Sequence, residues 1–286
     1  MPKKDTNTNK SLILIDSSYT AFYRFFATLR WYSHANPDEY KQYKNDVTYN
    51  WFENKIFIEK YEKMFLKSII DLVKKKNFDN STIIFCMDSP KGTLWRTMID
   101  SSYKGDRIDL SLKHNFKPTF TYTFETMIPQ FIKDNNNIHG IRIDCMEADD
   151  IIASICMHLK EKNPEQTIYL VSGDMDFIQL GRESIQFANY KHKKPYTVTT
   201  EEAMISLKTK LLLGDKSDGI MGIFPKGSRI KKQELIESDE KLQEYLAANS
   251  DAKKQYEQNI MMIDFNSIPK KYFNKAVKLF ITVDKI

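Results

Sequence analysis

The chain has 286 residues, 41% of them hydrophobic and 28% charged, with 43 Lys+Arg against 38 Asp+Glu and a net charge of +5. That balance excludes wholesale disorder, fits one large domain or two small ones, and leans mildly toward anionic partners. Three cysteines (Cys86, Cys145, Cys156) with no CxxC spacing exclude a disulfide scaffold and a zinc ribbon, and no apolar run nears the ~20 residues that span a bilayer. With only nine glycines there is no Gly-rich phosphate loop of the Walker or dinucleotide type.

In chain order, residues 1–10 read as a polar tail without the apolar stretch of a secretory signal. SLILID (11–16) reads as a buried strand ending at Asp16, because a continuous apolar run suits a parallel strand covered on both faces. Residues 19–30 read as a helix and 31–52 as a loop-rich insertion. From Glu53 to Lys76 the period is helical, with Ile58, Tyr61, Phe65, Ile69, Leu72 and Val73 on one face. STIIFCMD is a second buried strand, ending at Asp88. The stretch from Trp95 to Phe124 mixes basic and aromatic residues. It fits either a strand-threading arch or a piece of core around Phe116, Phe120, Tyr122 and Phe124. A weak strand lies near Ile141–Ile143, then MEADDIIASICMHLKEK predicts a helix with Glu147, Asp149 and Asp150 in its first turns. QTIYLVSGD is another buried strand, with Asp174 at its end and Asp176 two residues on, and SIQFAN adds a short one. Beyond Thr200 the pattern is helical (201–213, 240–248, 251–261, 270–281), broken by the loop LGDKSDGIMGI with Asp215 and Asp218. Strands alternating with helices predict an α/β fold, a central mostly parallel sheet flanked by helices, with a helical C-terminal region. The expected organisation is a tail (1–10), an α/β core (11–200) with an arch at about 95–125, and a helical region (201–286).

The carboxylates carry the functional message. Ligands of parallel sheets bind at the C-terminal strand edge, and three strands here end in aspartate. Two carboxylates ~5 Å apart at an effective dielectric of ~20 repel by about 3 kcal/mol. A convergent cluster therefore demands protons or cations, and an all-oxygen set favours Mg²⁺ or Mn²⁺ over Zn²⁺. The five histidines do not flank the acidic motifs. Singly, each aspartate also reads as a cap: Asp149 and Asp150 at a helix N-terminus, Asp16 at a strand end. Four acidic motifs, each at the end of an element, favour a shared site.

In this order the motifs resemble the 5′-nuclease (flap endonuclease) superfamily: LILID with Asp16, FCMD with Asp88, Trp95-Arg96, Tyr103-Lys104-Gly105-Asp106-Arg107, Glu147-Ala148-Asp149-Asp150, Asp174-Met175-Asp176, and Gly214-Asp215-Lys216-Ser217-Asp218. The match runs over roughly residues 11–225, and YEQNIMMIDFNSIP (256–269) is similar to the T-even phage ribonuclease H branch, consistent with a viral replication enzyme. The resemblance implies a PIN-like fold with two Mg²⁺ ions, replaceable by Mn²⁺. One would lie near Asp16, Asp88, Glu147 and Asp149. The other would lie near Asp174, Asp176 and Asp215, with Asp150 and Asp218 as outer ligands or as supports behind the ligands. It implies Lys104 and Arg107, helped by Arg96, as cations at the reacting phosphate, and Tyr23 and Arg24 as a stacking and phosphate-contacting pair. The family's Gly-x-Gly hairpin is degenerate here: Gly219 to Gly227 lacks the second G-x-G and contains Pro225, which leaves the K⁺ site without its usual loop. Duplex grip then falls to Lys226, Arg229, Lys231 and Lys232.

The implied activity is 5′→3′ hydrolysis near single-strand/duplex junctions in replication or repair, on branched or nicked DNA and RNA–DNA hybrids. The implied protein is a monomer that meets a sliding clamp or single-strand-binding protein and has no membrane partner. The alternatives are a PIN-type ribonuclease and a non-catalytic DNA-binding replication factor. The missing signal and odd cysteine count point to a non-secreted, intracellular protein, for which a viral factory and a nucleus fit equally.

Overall fold

A computed structural model describes residues 10–89, 94–105, 114–192, 194–225, 227 and 230–284. Five strands form one parallel sheet: β1 (Ser11–Asp16), β2 (Ser81–Met87), β3 (Ile138–Arg142), β4 (Ile168–Val171) and β5 (Ile185–Ala188), in the order β3-β2-β1-β4-β5. The chain walks outward from β1 through β2 to β3, then crosses back to lay β4 on the other side of β1. That reversal makes β1/β4 a switch point, where loops part and leave a crevice at the carboxyl edge. Register brings the edge into line: Ile15 pairs with both Phe85 and Val171, and Asp16 with Cys86.

Alternation along β1 sorts two cores, one on each face of the sheet. Ile13 and Ile15 face an aromatic layer from α1 (Ser17–Ala35) and α3 (Lys55–Val73), including Phe25, Phe57, Tyr61 and Phe65. Leu12 and Leu14 face α7 (Ala148–Lys162) and α12 (Lys270–Asp284) through Ile152, Ile155, Ala276 and Phe280. Burial on both faces is why β1, β2 and β4 read as unbroken apolar runs. β3 is an edge strand with only Ile138 and Ile141 buried, which is why its signal is weak.

The segment 31–52 departs from its reading as loop. Helix α1 continues to Ala35, α2 (Pro37–Tyr43) follows, and Trp51–Glu53 forms a 3-10 turn. Tyr32 and Trp51 are buried against Phe57, their rings 5.4 Å apart. The aromatics here come from the end of α1, from short α2 and from the 3-10 turn rather than from one element, so no single period emerges. Short α4 (Lys75–Asp79) then leads into β2.

Trp95–Met98 is a 3-10 turn that buries Trp95 and Arg96. α5 (Lys117–Tyr122), a π-turn (Thr123–Met127) and α6 (Ile128–Asp134) follow the undescribed 106–113. Phe116 packs on Phe22, Phe25 and Phe26 at 5.1–5.5 Å between ring centres, so this part of the expected arch is core.

Past β5, α8 (Thr200–Leu213) enters an antiparallel ribbon, β6 (Gly214–Asp215) and β7 (Ile220–Met221). Three helices follow: α9 (Lys232–Glu237), α10 (Asp239–Ala248) and α11 (Ser250–Ile263). α9 carries no signal in the pattern because it is barely two turns long. Buried Asn259 donates to the Leu211 and Met221 carbonyls at 2.8 and 2.9 Å, fastening α11 to α8 and the ribbon. No described helix is long and apolar enough to cross a membrane.

Candidate active site

The acidic side chains meet at the carboxyl edge of the sheet, and each is aimed by its own backbone. Asp16 ends β1 and caps α1: one oxygen accepts from Tyr19 N at 2.9 Å, the other from Ser172 Oγ at 2.9 Å. Asp88 follows β2, accepting from Ser18 Oγ at 2.5 Å and from Ala148 N, the first residue of α7, at 2.6 Å. Asp174 follows β4 and caps the 3-10 turn Met175–Leu180 by accepting from Asp176 N at 2.9 Å. Asp215 caps the turn Lys216–Asp218 through Ser217 N at 2.9 Å. In each case one oxygen satisfies an orphan N–H at an element start and fixes where the rest of the carboxylate points. Gly173 is needed beside them, because a Cβ there would lie 2.5 Å from the Tyr19 hydroxyl.

Asp16, Asp88, Glu147, Asp149 and Asp174 line one cleft of about 350 Å³, with Tyr103 and Lys104 among its walls. Asp149, Asp176, Asp215 and Asp218 line a tighter crevice beside it. Asp149 borders both. Burial, then the charge of Asp88, pushes Asp16 up to about 7. Burial, then Asp174 and Asp16, drives Asp149 well above the usual carboxylate range, and burial raises Asp174 despite Lys210 and Lys104. Three carboxyls thus resist ionisation for want of positive charge. Among the described residues no group of three or more acidic, His or Cys side chains is already arranged round one ion position. Two lysines stand among the acids instead.

One is Lys104, whose Nζ lies 2.5 Å from Glu147 Oε1 and 3.8 Å from Asp218. Its backbone is left-handed (φ 59°), an uncommon state for a non-glycine residue, and its N–H donates to the Asp218 carbonyl at 2.9 Å. Burial would raise Glu147, but Lys104 and Arg96 more than offset it and hold Glu147 below its usual value. The buried Tyr103 hydroxyl lies 3.0 Å from Glu147 and 3.1 Å from Asp218, donating to one or the other.

Two expectations are corrected here, and a third is narrowed. Arg96 is 4% exposed and its donors are taken up within the protein rather than presented to a phosphate. It binds Glu147 at 3.1 Å, Asp150 at 2.8 Å and the Met262 carbonyl at 2.9 Å. Asp150 is fully buried, held by Arg96, by Trp95 Nε1 at 2.8 Å and by the Glu147 N–H at 3.1 Å in a capping box, so of its two expected places it takes that of a support behind the ligands, a strut of α7. Arg24 is 6% exposed, with its charge near the Tyr61 and Tyr190 phenols, so it is not presented to a backbone phosphate.

Tyr23 is exposed, and its ring lies flat on Tyr190 at 3.9 Å and 7°, with Tyr19 behind at 5.8 Å. Lys231 and Lys232 are exposed near the start of α9, Lys231 paired with Glu234 at 2.9 Å and Lys232 over the Phe224 ring at 5.2 Å. Arg107, Lys226 and Arg229 lie outside the described residues.

The sequence reading gave no role to Tyr103, quoted only as part of a motif, or to Lys210, Ser18, Ser172 and Tyr190. Ser18 and Ser172 stand two residues from Asp16 and Asp174, and Lys210 stands five before Asp215. Those offsets are the only signal they carry.

Residues 11–209 match the family described as 5′-3′ exonuclease, N-terminal resolvase-like domain. The chain belongs to this 5′-3′ exonuclease family. It is 25% identical over 244 residues to ribonuclease H of Enterobacteria phage T4, covering 80% of this chain and 79% of that protein. It is 24% identical over 237 residues to a 5′-3′ exonuclease of Mycoplasmopsis pulmonis, covering 79% and 67%. Its fold is similar to the bacteriophage T5 5′-exonuclease with bound zinc (TM-score 0.59, 15% identity, 96% and 98% covered). It is also similar to the T5 flap endonuclease in a pseudo-enzyme–product complex with DNA and metal ions (TM-score 0.60, 15%, 97% and 100%). It is a 5′ nuclease, a hydrolase of nucleic-acid phosphodiesters.

Proposed function

We propose that the chain cleaves phosphodiesters from the 5′ side at single-strand/duplex junctions, on 5′ flaps, nicked duplexes and RNA primers annealed to DNA. It does so with two Mg²⁺ ions, for which Mn²⁺ can substitute. The observation that carries this reading is the convergence of carboxylates from five separate segments on one cleft and its neighbouring crevice, with Asp16, Asp149 and Asp174 all pushed up. The donor set is oxygen only, as hard divalent cations require, and its unbalanced charge is what such ions would neutralise. Asp16, Asp88 and Asp149, with Glu147, would hold one ion. Asp149, Asp174, Asp176 and Asp215, with Asp218, would hold the other. When bound, the ions supply Lewis acidity and charge neutralisation for hydrolysis.

The chain's own groups do the positioning. Tyr103 and Arg96 hold Glu147 from behind, with Lys104 as the cation on the wall of the cleft itself. Lys104 exchanges Glu147 for the scissile phosphate and places its charge where negative charge develops in the transition state. Exposed Tyr23, propped by Tyr190, offers a flat face for a base at the junction, and Lys231 and Lys232 offer charge to the duplex backbone. The solved T5 complex with DNA and metal ions supports the same class of substrate for this fold.

The test is digestion of 5′-labelled flap, nick and RNA-primer substrates with Mg²⁺ or with chelator. Junction-proximal products in Mg²⁺ and none in chelator are expected; equal cleavage of linear single-stranded RNA would overturn the junction reading. Substrate affinity should also fall steeply with salt, because contacts to the backbone dominate. Lys104→Ala is expected to slow single-turnover cleavage roughly 10²–10³-fold with little loss of flap binding. A rate within threefold of wild type would remove Lys104 from the chemistry.

A further inference from the structure

Two of the aspartates that line the tighter acidic crevice, Asp176 and Asp215, are already held by a cation belonging to the chain. Lys210 Nζ contacts Asp176 Oδ1 and lies 3.0 Å from Asp215 Oδ2. The three side chains are only 16–23% exposed, so this pair of contacts is sheltered from solvent. The arrangement is built by the end of α8. Lys210 sits in its last turn, and Gly214, at φ 74°, reverses the chain so that Asp215 returns beneath it. A Cβ at Gly214 would lie 2.4 Å from the Ile220 carbonyl oxygen, so only glycine closes the reversal this tightly. Asp176 reaches the same point from the 3-10 turn Met175–Leu180, against which α8 packs. Lys208, two residues earlier, pairs instead with Asp239 at 2.6 Å.

We infer that Lys210 is a tethered stand-in for the second divalent ion: its ammonium holds Asp176 and Asp215 together while that ion is absent, and must leave when the ion enters. The inference rests on the two-ion reading above. An ammonium brings one charge and no open coordination to two carboxylates; a divalent ion brings two charges and needs the same oxygens. The two cannot share them, so the second ion binds by exchange rather than by simple addition. The second site is therefore assembled in advance but filled only at higher ion concentration than the first.

Calorimetric titration of the metal-free full chain with Mn²⁺, without nucleic acid, tests this. Wild type is expected to show a tighter and a weaker class of site. Lys210→Met should tighten the weaker class roughly five- to tenfold, the worth of a partly buried ion pair, and leave the tighter class unchanged. Lys210→Arg should restore weak binding, and Lys208→Met should titrate like wild type. In chelator Lys210→Met should melt below wild type, and saturating Mn²⁺ should close that gap. Lys210→Gln serves as the second probe if the Met variant does not fold. A weaker class that is unchanged or further weakened in both Lys210 variants overturns the stand-in role and leaves two-ion binding intact. Absence of a second class in wild type and variants alike overturns the two-ion reading and this inference with it.

Discussion

Asp16→Asn is expected to abolish cleavage while making the metal-free protein more stable at neutral and alkaline pH. Activity should fall by at least roughly 10³-fold, about 4 kcal/mol of transition-state stabilisation, because a ligand charge is gone. Asparagine keeps an oxygen to cap Tyr19 N, and its amide can donate to Ser172 Oγ, so both local contacts survive. The stability gain follows from linkage. Asp16 titrates near 7 in the folded chain against an ordinary 3.8, so folding favours its protonated form. The stabilising contribution is complete below about pH 4 and is lost as pH rises through about 7. Asparagine, never ionised, escapes that loss. In chelator the two proteins should unfold alike near pH 4 and diverge above it, by roughly 2–4 kcal/mol at pH 8. A wild-type minus variant difference that stays flat from pH 4 to 8 would refute the charge-crowding account of the cleft.

Arg96→Met is expected to be the most destabilising single change among the site residues. Methionine fills much of the volume but leaves Glu147 and Asp150 facing each other without the guanidinium that now binds both. Burial disfavours the Arg96 charge, yet Asp150 and its neighbours hold it firmly ionised, so the cation is integral to the fold. Breaking one side of a buried pair costs about 3–5 kcal/mol, or a fall in melting temperature of roughly 6–15 °C for a chain this size. Adding Asp150→Asn should recover part of the loss by removing one stranded charge, while Lys104→Ala should not. Thermal melts of the three variants decide it; a shift under 3 °C for Arg96→Met would mean the network is dispensable.

Much of this was legible beforehand, for a physical reason in each case. β1, β2 and β4 announced themselves because strands covered on both faces must be apolar throughout, and their aspartates stood out because charge at the end of such a run is costly without a purpose. The parallel sheet and its carboxyl-edge site followed. The alternatives weighed for Asp16, a cap or a ligand, turn out not to compete: the same side chain caps α1 with one oxygen and lines the cleft. Exposure was not legible. Arg96, Asp150 and Arg24 carry charges that a linear reading sends to the surface or to substrate, and only the packing of Trp95, Met262 and the tyrosines around them shows that they are enclosed. Lys210 was invisible for the opposite reason: a lysine among helical residues looks like solvated surface until a glycine reversal folds an aspartate under it.

One hydrogen bond sets a timetable for synthesis. Arg96 Nε donates to the carbonyl of Met262, 166 residues downstream, and Gln179 donates to the carbonyl of Ile263 while its own amide oxygen accepts from Phe265 N. The sheet and the acidic residues at its strand ends and on α7 are complete in sequence by residue 188, but the guanidinium that steadies Glu147 and Asp150 gains its Met262 partner only when α11 has been made. A nascent chain thus holds its sheet-borne acidic residues before it has the brace that aligns them, and the site is steadied only once the later helices have folded onto it.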